Sequence, residues 1–91
     1  MPVRKSLYRE ESVLLRQSLR QARRSVGMSQ VELGEALERP QSWVSQVERG
    51  VRRLDLVELS DYCQALGIDL ASFVKTFNCE LAKLRQKDGA N

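Results

Sequence analysis

The sequence predicts an all-α fold, a compact domain of five helices whose last helix is extended. Apolar residues recur at spacings of three and four, and no stretch of useful length alternates as a strand would. Ser29 and Asp55 are each followed three residues later by a glutamate, the pattern of a helix capping box. Gly27, Gly50 and Gly67 each follow a helical segment, where glycine commonly ends a helix. The 91 residues suffice for one modest core.

The first helix is predicted at residues 7–25, because Leu15, Leu19 and Ala22 recur at helical spacing. Glutamates near its start and arginines near its end suit the partial charges at the two ends of a helix. Residues 1–8 are assigned to a basic N-terminal arm that includes the start of this helix, and residues 1–5, with Arg4 and Lys5, are predicted to be its loose part.

Two short helices follow. One begins after Ser29 and ends near Leu37, because Pro40 disfavours a helical conformation at the residue before it. Pro40 is itself tolerated in the first turn of a helix, so a third helix can begin there and end at Gly50.

Two further helices complete the chain. The fourth is predicted at residues 56–66, with Asp55 as its cap and Glu58 closing the capping box. The fifth begins after Asp69 and runs to about Lys87.

Charge is distributed unevenly along the chain. Residues 1–53 carry 11 lysines and arginines against 6 acidic residues, whereas residues 54–91 carry 4 against 6. A basic half suggests a surface for an anionic polymer, and a mildly acidic half suggests a separate surface for something else.

Composition argues against several function classes. Histidine is absent, and Cys63 and Cys79 lack the spacing of a zinc site, so we expect two reduced thiols, no metal and no cofactor. The sequence has no glycine-rich phosphate loop, and its acidic residues are not paired in a plausible cleft, so an enzyme is not expected. No apolar run reaches the length of a membrane span and no signal peptide is recognisable, which predicts a cytoplasmic protein without membrane contact.

The third helix separates apolar from polar residues. Val44 and Val47 point to one side, and Gln41 lies at the exposed tip. The opposite side carries the polar residues Ser42, Ser45, Gln46 and Arg49. Glutamine can pair in a bidentate way with adenine, and serine and arginine can also contact base edges in the major groove. The alternative is a solvated polar face without a partner.

Three stretches carry a family resemblance, "LRQARRSVGMSQVELGEAL", "QSWVSQVERG" and "RRLDLVELSDYCQALGID". This pattern resembles the helix-turn-helix of the lambdoid phage repressor and Cro family, also called the XRE family, and the resemblance extends over about residues 15–70. The resemblance implies a lambda-repressor-like DNA-binding domain over residues 9–69, with the third helix as recognition helix. It implies a transcriptional regulator, a repressor or autoregulator, that reads a pseudo-palindromic double-stranded operator.

The resemblance also implies roles for individual residues. The positions that match base-contacting or flanking residues are Gln41, Ser42, Ser45 and Gln46. The positions expected to contact phosphates are Gln30, Trp43, Arg49, Arg52 and Arg53. Gln30 is further expected to brace the first residue of the recognition helix. Arg23 and Glu48 match a partly buried ion pair, and Gly34 matches a small residue where two helices approach closely.

Two residues leave alternatives open. Glu38 stands where the family usually has glycine, so either it adopts a positive φ at a cost of about 1 kcal/mol or the turn differs locally. Trp43 lies at the edge of the buried face, where it can cover the core, donate its indole N–H to a phosphate, or do both.

The C-terminal helix carries an apolar stripe. Its residues Leu70, Val74, Phe77, Leu81 and Leu84 are spaced four and three apart, as in a heptad seam. Phe73 lies beside the stripe and can face the core near Cys63 and Leu66. We expect residues 70–91 to form a dimerisation helix and tail, with Val74, Phe77, Leu81 and Leu84 in a homodimer interface. The alternative is that this helix packs over the first helix and buries the stripe internally.

A second class of function stays open, a protein-interaction module of the antitoxin type that binds a partner protein. The basic loop with Arg52 and Arg53 favours DNA, because a protein binder has little use for phosphate donors.

Overall fold

The computed structural model describes the backbone of residues 9–89 and the side chains of residues 9–86. The helices are α1 (Glu10–Ser25), α2 (Gln30–Ala36), α3 (Gln41–Glu48), α4 (Leu56–Leu66) and α5 (Leu70–Gly89). No strand occurs among the residues described, which confirms the predicted all-α class. The proposed basic arm of residues 1–8 lies outside this range, and α1 begins at Glu10 after the extended Arg9, later than the predicted start at residue 7.

The predicted caps hold the helix starts. Ser29 Oγ accepts a hydrogen bond from the backbone N–H of Glu32 at 3.0 Å, and the Glu32 carboxylate accepts the Ser29 N–H in return. Asp55 and Glu58 form the same reciprocal pair at the start of α4. Asp69 Oδ2 accepts from the backbone N–H of Ser72 at 2.9 Å. Each cap satisfies donors that a helix end would otherwise leave unpaired.

The turn between α2 and α3 depends on two unusual backbone positions. Glu38 has a φ of 55°, so it adopts the left-handed conformation that the sequence raised as one alternative. Gly34 is buried, and a Cβ placed there would lie 2.8 Å from the carbonyl oxygen of Arg39. The two helices can therefore approach closely only because residue 34 has no side chain. Pro40 caps α3 instead of joining its first turn.

Helices α1, α2, α3 and α4 all contribute to one hydrophobic core. Its buried residues are Leu19, Leu33, Trp43, Val44, Val47, Tyr62 and Leu66. α3 packs on α2 and α1, whereas α4 packs on α2 and α5. Because α3 is only eight residues long, its stability comes from this packing and not from its own backbone hydrogen bonds.

A buried ion pair joins α1 to the end of α3. Arg23 Nε and Nη2 donate to the two carboxylate oxygens of Glu48 at 2.6 and 3.0 Å. Arg23 is 8% exposed and Glu48 is 4% exposed, so the predicted pair is present and more deeply buried than expected. Tyr62 on α4 donates its hydroxyl to the same carboxylate at 3.3 Å. Burial by itself would raise the pKa of Glu48, but the hydrogen bonds from Arg23, Gln30 and Tyr62 outweigh it and hold that pKa below its usual range.

The C-terminal helix packs beside α1 as well as α4. Phe73 contacts the core, as predicted. Phe77, which was predicted in the homodimer interface, lines a groove between α1 and α5. Val74 is 41% exposed, and Phe77, Leu81 and Leu84 are half-buried. The structure thus partly favours the alternative in which the last helix packs over the first, since α1 covers some of the apolar stripe.

We predict that Glu38→Gly stabilises the protein by about 1 kcal/mol. A left-handed conformation costs a residue with a side chain roughly 1–2 kcal/mol, and the greater freedom of unfolded glycine offsets part of the gain. Urea unfolding measures the difference. Glu35→Gly is the matched control, because residue 35 lies inside α2 and there the same change loses about 1 kcal/mol. A loss of stability in both variants would contradict the strain at Glu38.

We predict that Arg23→Ala lowers the free energy of unfolding by about 3–5 kcal/mol. The variant leaves the Glu48 carboxylate buried without its bidentate partner, and an unpaired buried charge is strongly destabilising. Thermal melting measures the loss. Arg24→Ala removes the same charge from the next position, which is exposed, and is expected to melt close to the wild type. Equal melting of both variants would show that the pair contributes little.

Candidate nucleic-acid interface

The polar residues predicted to contact bases share one side of α3. Gln41 and Ser42 are exposed, and Ser45 and Gln46 are half-buried. Val44 and Val47 face the core with at most 2% of their surface exposed, which fixes the rotation of the helix about its axis. The polar side is therefore held outward by the burial of the apolar side.

A chain of hydrogen bonds leads from the buried ion pair to the tip of α3. Gln30 Nε2 donates to Glu48 Oε1 at 3.0 Å. Gln41 Nε2 donates to Gln30 Oε1 at 2.6 Å, so Gln30 braces the first residue of α3 as predicted. The chain connects α2 to both ends of α3.

The direction of this chain follows from the chemistry of its buried end. An ionised carboxylate only accepts hydrogen bonds, so Gln30 turns its amide nitrogen toward Glu48. The amide oxygen of Gln30 then faces Gln41 and takes one of its N–H groups. The oxygen and the second N–H of Gln41 are not used in this chain. These are the two groups that a bidentate contact with adenine requires.

Trp43 has a packing role in this structure. Its side chain belongs to the core and only 8% of the residue is exposed. The guanidinium groups of Arg39 and Arg52 lie 5.0 and 5.4 Å from its ring centroid, within range of a cation–π interaction. The indole nitrogen is buried and has no hydrogen-bond partner. A phosphate cannot reach a buried N–H, so the geometry contradicts the predicted phosphate contact of Trp43 and supports the alternative.

The arginines predicted to contact phosphates differ in their surroundings. Arg52 Nη2 lies 2.7 Å from Glu58 Oε2, and its Nε is buried without a partner. Arg52 therefore ties the loop after α3 to α4, which the resemblance did not indicate. Arg49 and Arg53 are exposed.

Two arginines that the sequence pattern did not single out lie beside this surface. Arg20 Nε lies 3.6 Å from Glu48 Oε1. Arg16 Nη1 donates to the backbone oxygen of Arg49, at the end of α3. A signal was present, since positions 16 and 20 are one helical turn apart on the same face. The arginines near the end of α1 were interpreted only as positive charge that suits the helix dipole.

Other kinds of site have little support in residues 9–89. No group of three or more potential metal ligands is found in that range. Cys63 is buried, which raises the pKa of its thiol, whereas Cys79 is exposed. None of the helices described is long and apolar enough to cross a membrane.

Family comparison agrees with this geometry. The family described as helix-turn-helix domain matches residues 14–72, well over half of the chain. No curated protein sequence matches the chain.

Solved structures of similar proteins extend the comparison. An XRE-family like protein from Pseudomonas syringae pv. tomato str. DC3000 is 36% identical, with a TM-score of 0.72 over 77% of this chain and 85% of its own. The clp gene regulator ClgR from Corynebacterium glutamicum is 28% identical, with a TM-score of 0.73 over 90% of this chain and 88% of its own. The restriction-modification controller protein C.AhdI from Aeromonas hydrophila is 33% identical, with a TM-score of 0.64 over 69% of this chain and 91% of its own.

The match spans α2, the turn and α3, which are the elements that carry the polar surface described above. The chain belongs to this helix-turn-helix family and is a DNA-binding regulator of the XRE type.

Proposed function

We propose that the protein represses or autoregulates transcription by reading a double-stranded operator through α3. The observation that carries this proposal is the hydrogen-bond chain from Glu48 through Gln30 to Gln41. It presents the amide of Gln41 in one orientation before DNA arrives, so little side-chain entropy is lost on binding. A solvated face without a partner has no need of a fixed amide.

We assign different residues of this surface to base contacts and to phosphate contacts. We assign base contacts to the outer residues of α3, Gln41, Ser42, Ser45 and Gln46. Gln30, Arg49 and Arg53 are assigned to phosphates, because Arg49 and Arg53 are exposed guanidinium donors and Gln30 Nε2 has a second N–H besides the one that it donates to Glu48. Arg52 is a weaker candidate, since Glu58 already takes its charge. Such a division gives register through the backbone and specificity through the bases.

We further propose that the protein acts as a two-fold symmetric homodimer joined through α5. Val74 is exposed and Leu81 and Leu84 remain half-buried, which leaves apolar surface on a helix that continues beyond the core. Two copies would place their recognition helices about 34 Å apart, one turn of DNA, on a pseudo-palindrome.

Selection of bound duplexes from a random pool tests the function as a whole. Enrichment of a pseudo-palindrome, with affinity that falls steeply as salt rises, is the expected result. Pools without enrichment, or affinity that is insensitive to salt, would contradict operator binding. The selected duplex then serves as the operator in the binding measurements.

We predict that Gln46→Ala weakens operator binding by about 1–3 kcal/mol, the usual cost of one good base contact. Binding to a random duplex is expected to change little, because the variant keeps every phosphate donor. Fluorescence anisotropy on both duplexes measures the two affinities. Gln64→Ala is the control, since Gln64 is exposed on α4 and is not assigned to the DNA surface. Equal losses on both duplexes would show that Gln46 does not read bases.

We predict that Leu81→Asp gives a folded monomer with operator affinity reduced more than Gln46→Ala reduces it. A buried charge in the α5 interface would oppose association, and a monomer loses the second half-site. Sedimentation measures the mass, and melting checks the fold. Ala82→Asp adds the same charge at the neighbouring exposed position and is expected to stay dimeric. A wild type that is monomeric at micromolar concentration, yet fills both half-sites without cooperativity, would contradict the dimer.

A further inference from the structure

A small basic cleft lies between α1 and the C-terminal end of α3. It has a volume of about 270 Å³ and is lined by Arg16, Gln17, Arg20, Glu48 and Arg49. Three of its five lining residues are arginines, and neither Arg16 nor Arg20 belongs to the surface assigned so far.

Arg16 is held in the cleft by the end of α3. Its Nη1 donates to the backbone oxygen of Arg49, which anchors the guanidinium across the last turn. Gly50 makes this crossing possible, because a Cβ there would lie 3.0 Å from both Cδ and Nη1 of Arg16. A guanidinium has five N–H donors, so most of those on Arg16 are left for another acceptor.

Arg20 is positioned by the other side of the cleft. Its Nε lies 3.6 Å from Glu48 Oε1, and 46% of its side chain is exposed. The same carboxylate already forms the short bidentate pair with Arg23. One negative charge thus faces two guanidinium groups, and the excess positive charge lies at the open side, on Arg20.

We propose that this cleft binds one backbone phosphate of duplex DNA, with Arg16 and Arg20 as its donors. The proposal rests on the DNA binding proposed above and extends the contact surface to α1. Two guanidinium forks held by different acceptors match the oxygens of a phosphate, which arginine binds in a bidentate way. The DNA backbone is the favoured source because Arg49 joins the cleft to the outer side of α3, and Glu48 joins it to Gln30.

The test is the salt dependence of duplex binding by the double variant Arg16→Gln, Arg20→Gln. Loss of one phosphate contact lowers the slope of log affinity against log salt by about 0.9, and the loss is expected on operator and random duplex alike. The control variant Lys75→Gln, Arg85→Gln removes the same charge from exposed positions of α5 and is expected to keep the wild-type slope. The variant Arg16→Lys, Arg20→Lys retains the charges and is expected to recover most of the slope.

Each result decides the proposal. An unchanged slope in the double glutamine variant, or a loss confined to the operator, overturns the phosphate cleft while the proposed function stands. A wild type without salt-dependent duplex binding overturns the proposed function and this inference together. If the double variant melts below the assay temperature, Arg20→Gln alone carries the test, because it leaves the bond from Arg16 to α3 intact.

A titration with inorganic phosphate, without DNA and at constant ionic strength, distinguishes a phosphate of the DNA backbone from a free phosphate ester as the ligand of the cleft. No rise in melting temperature at millimolar phosphate supports the DNA backbone as the source. A rise that the double glutamine variant lacks, together with an unchanged duplex slope, would assign the cleft to a free phosphate ester and overturn the proposal.

Discussion

The carboxylate of Glu48 is the point on which four helices converge. It lies on α3 and accepts hydrogen bonds from Arg23 on α1, Gln30 on α2 and Tyr62 on α4. A charge this deeply buried is tolerated only when its partners are all in place. The position of α3 relative to the other three helices is therefore specified by one group, in addition to the packing of its two valines.

If Gln41 contacts a base as proposed, the same carboxylate couples stability to recognition. Because it only accepts, it sets the direction of the Gln30 amide and through it the presentation of Gln41. A change that removes a donor from Glu48 would therefore loosen the core and also release the amide that we assign to a base. Fixing a polar side chain by a buried charge is costly for stability, but it yields a preorganised contact.

Local signals were sufficient to predict much of the fold, and tertiary packing decided the rest. Capping boxes act within a few residues of chain, so the starts of α2 and α4 could be predicted from the sequence alone. The left-handed conformation of Glu38 was one of two alternatives, and it rested on the family resemblance and not on a local signal. For Trp43 the sequence left burial and a phosphate contact both open, because the choice depends on packing between helices that are distant in sequence. The course of α5 beside α1 depends likewise on how distant helices meet, which periodicity does not encode.

The arginines show why charge counts overstate a DNA surface. Arg23 and Arg52 are bound to Glu48 and Glu58, and each of these pairs holds two elements of the fold together. A guanidinium paired with a carboxylate attracts a phosphate less strongly, because the neighbouring negative charge opposes its field. Arg20 differs, because the carboxylate that it meets already forms a shorter pair with Arg23, and this is why we propose Arg20 as a phosphate donor.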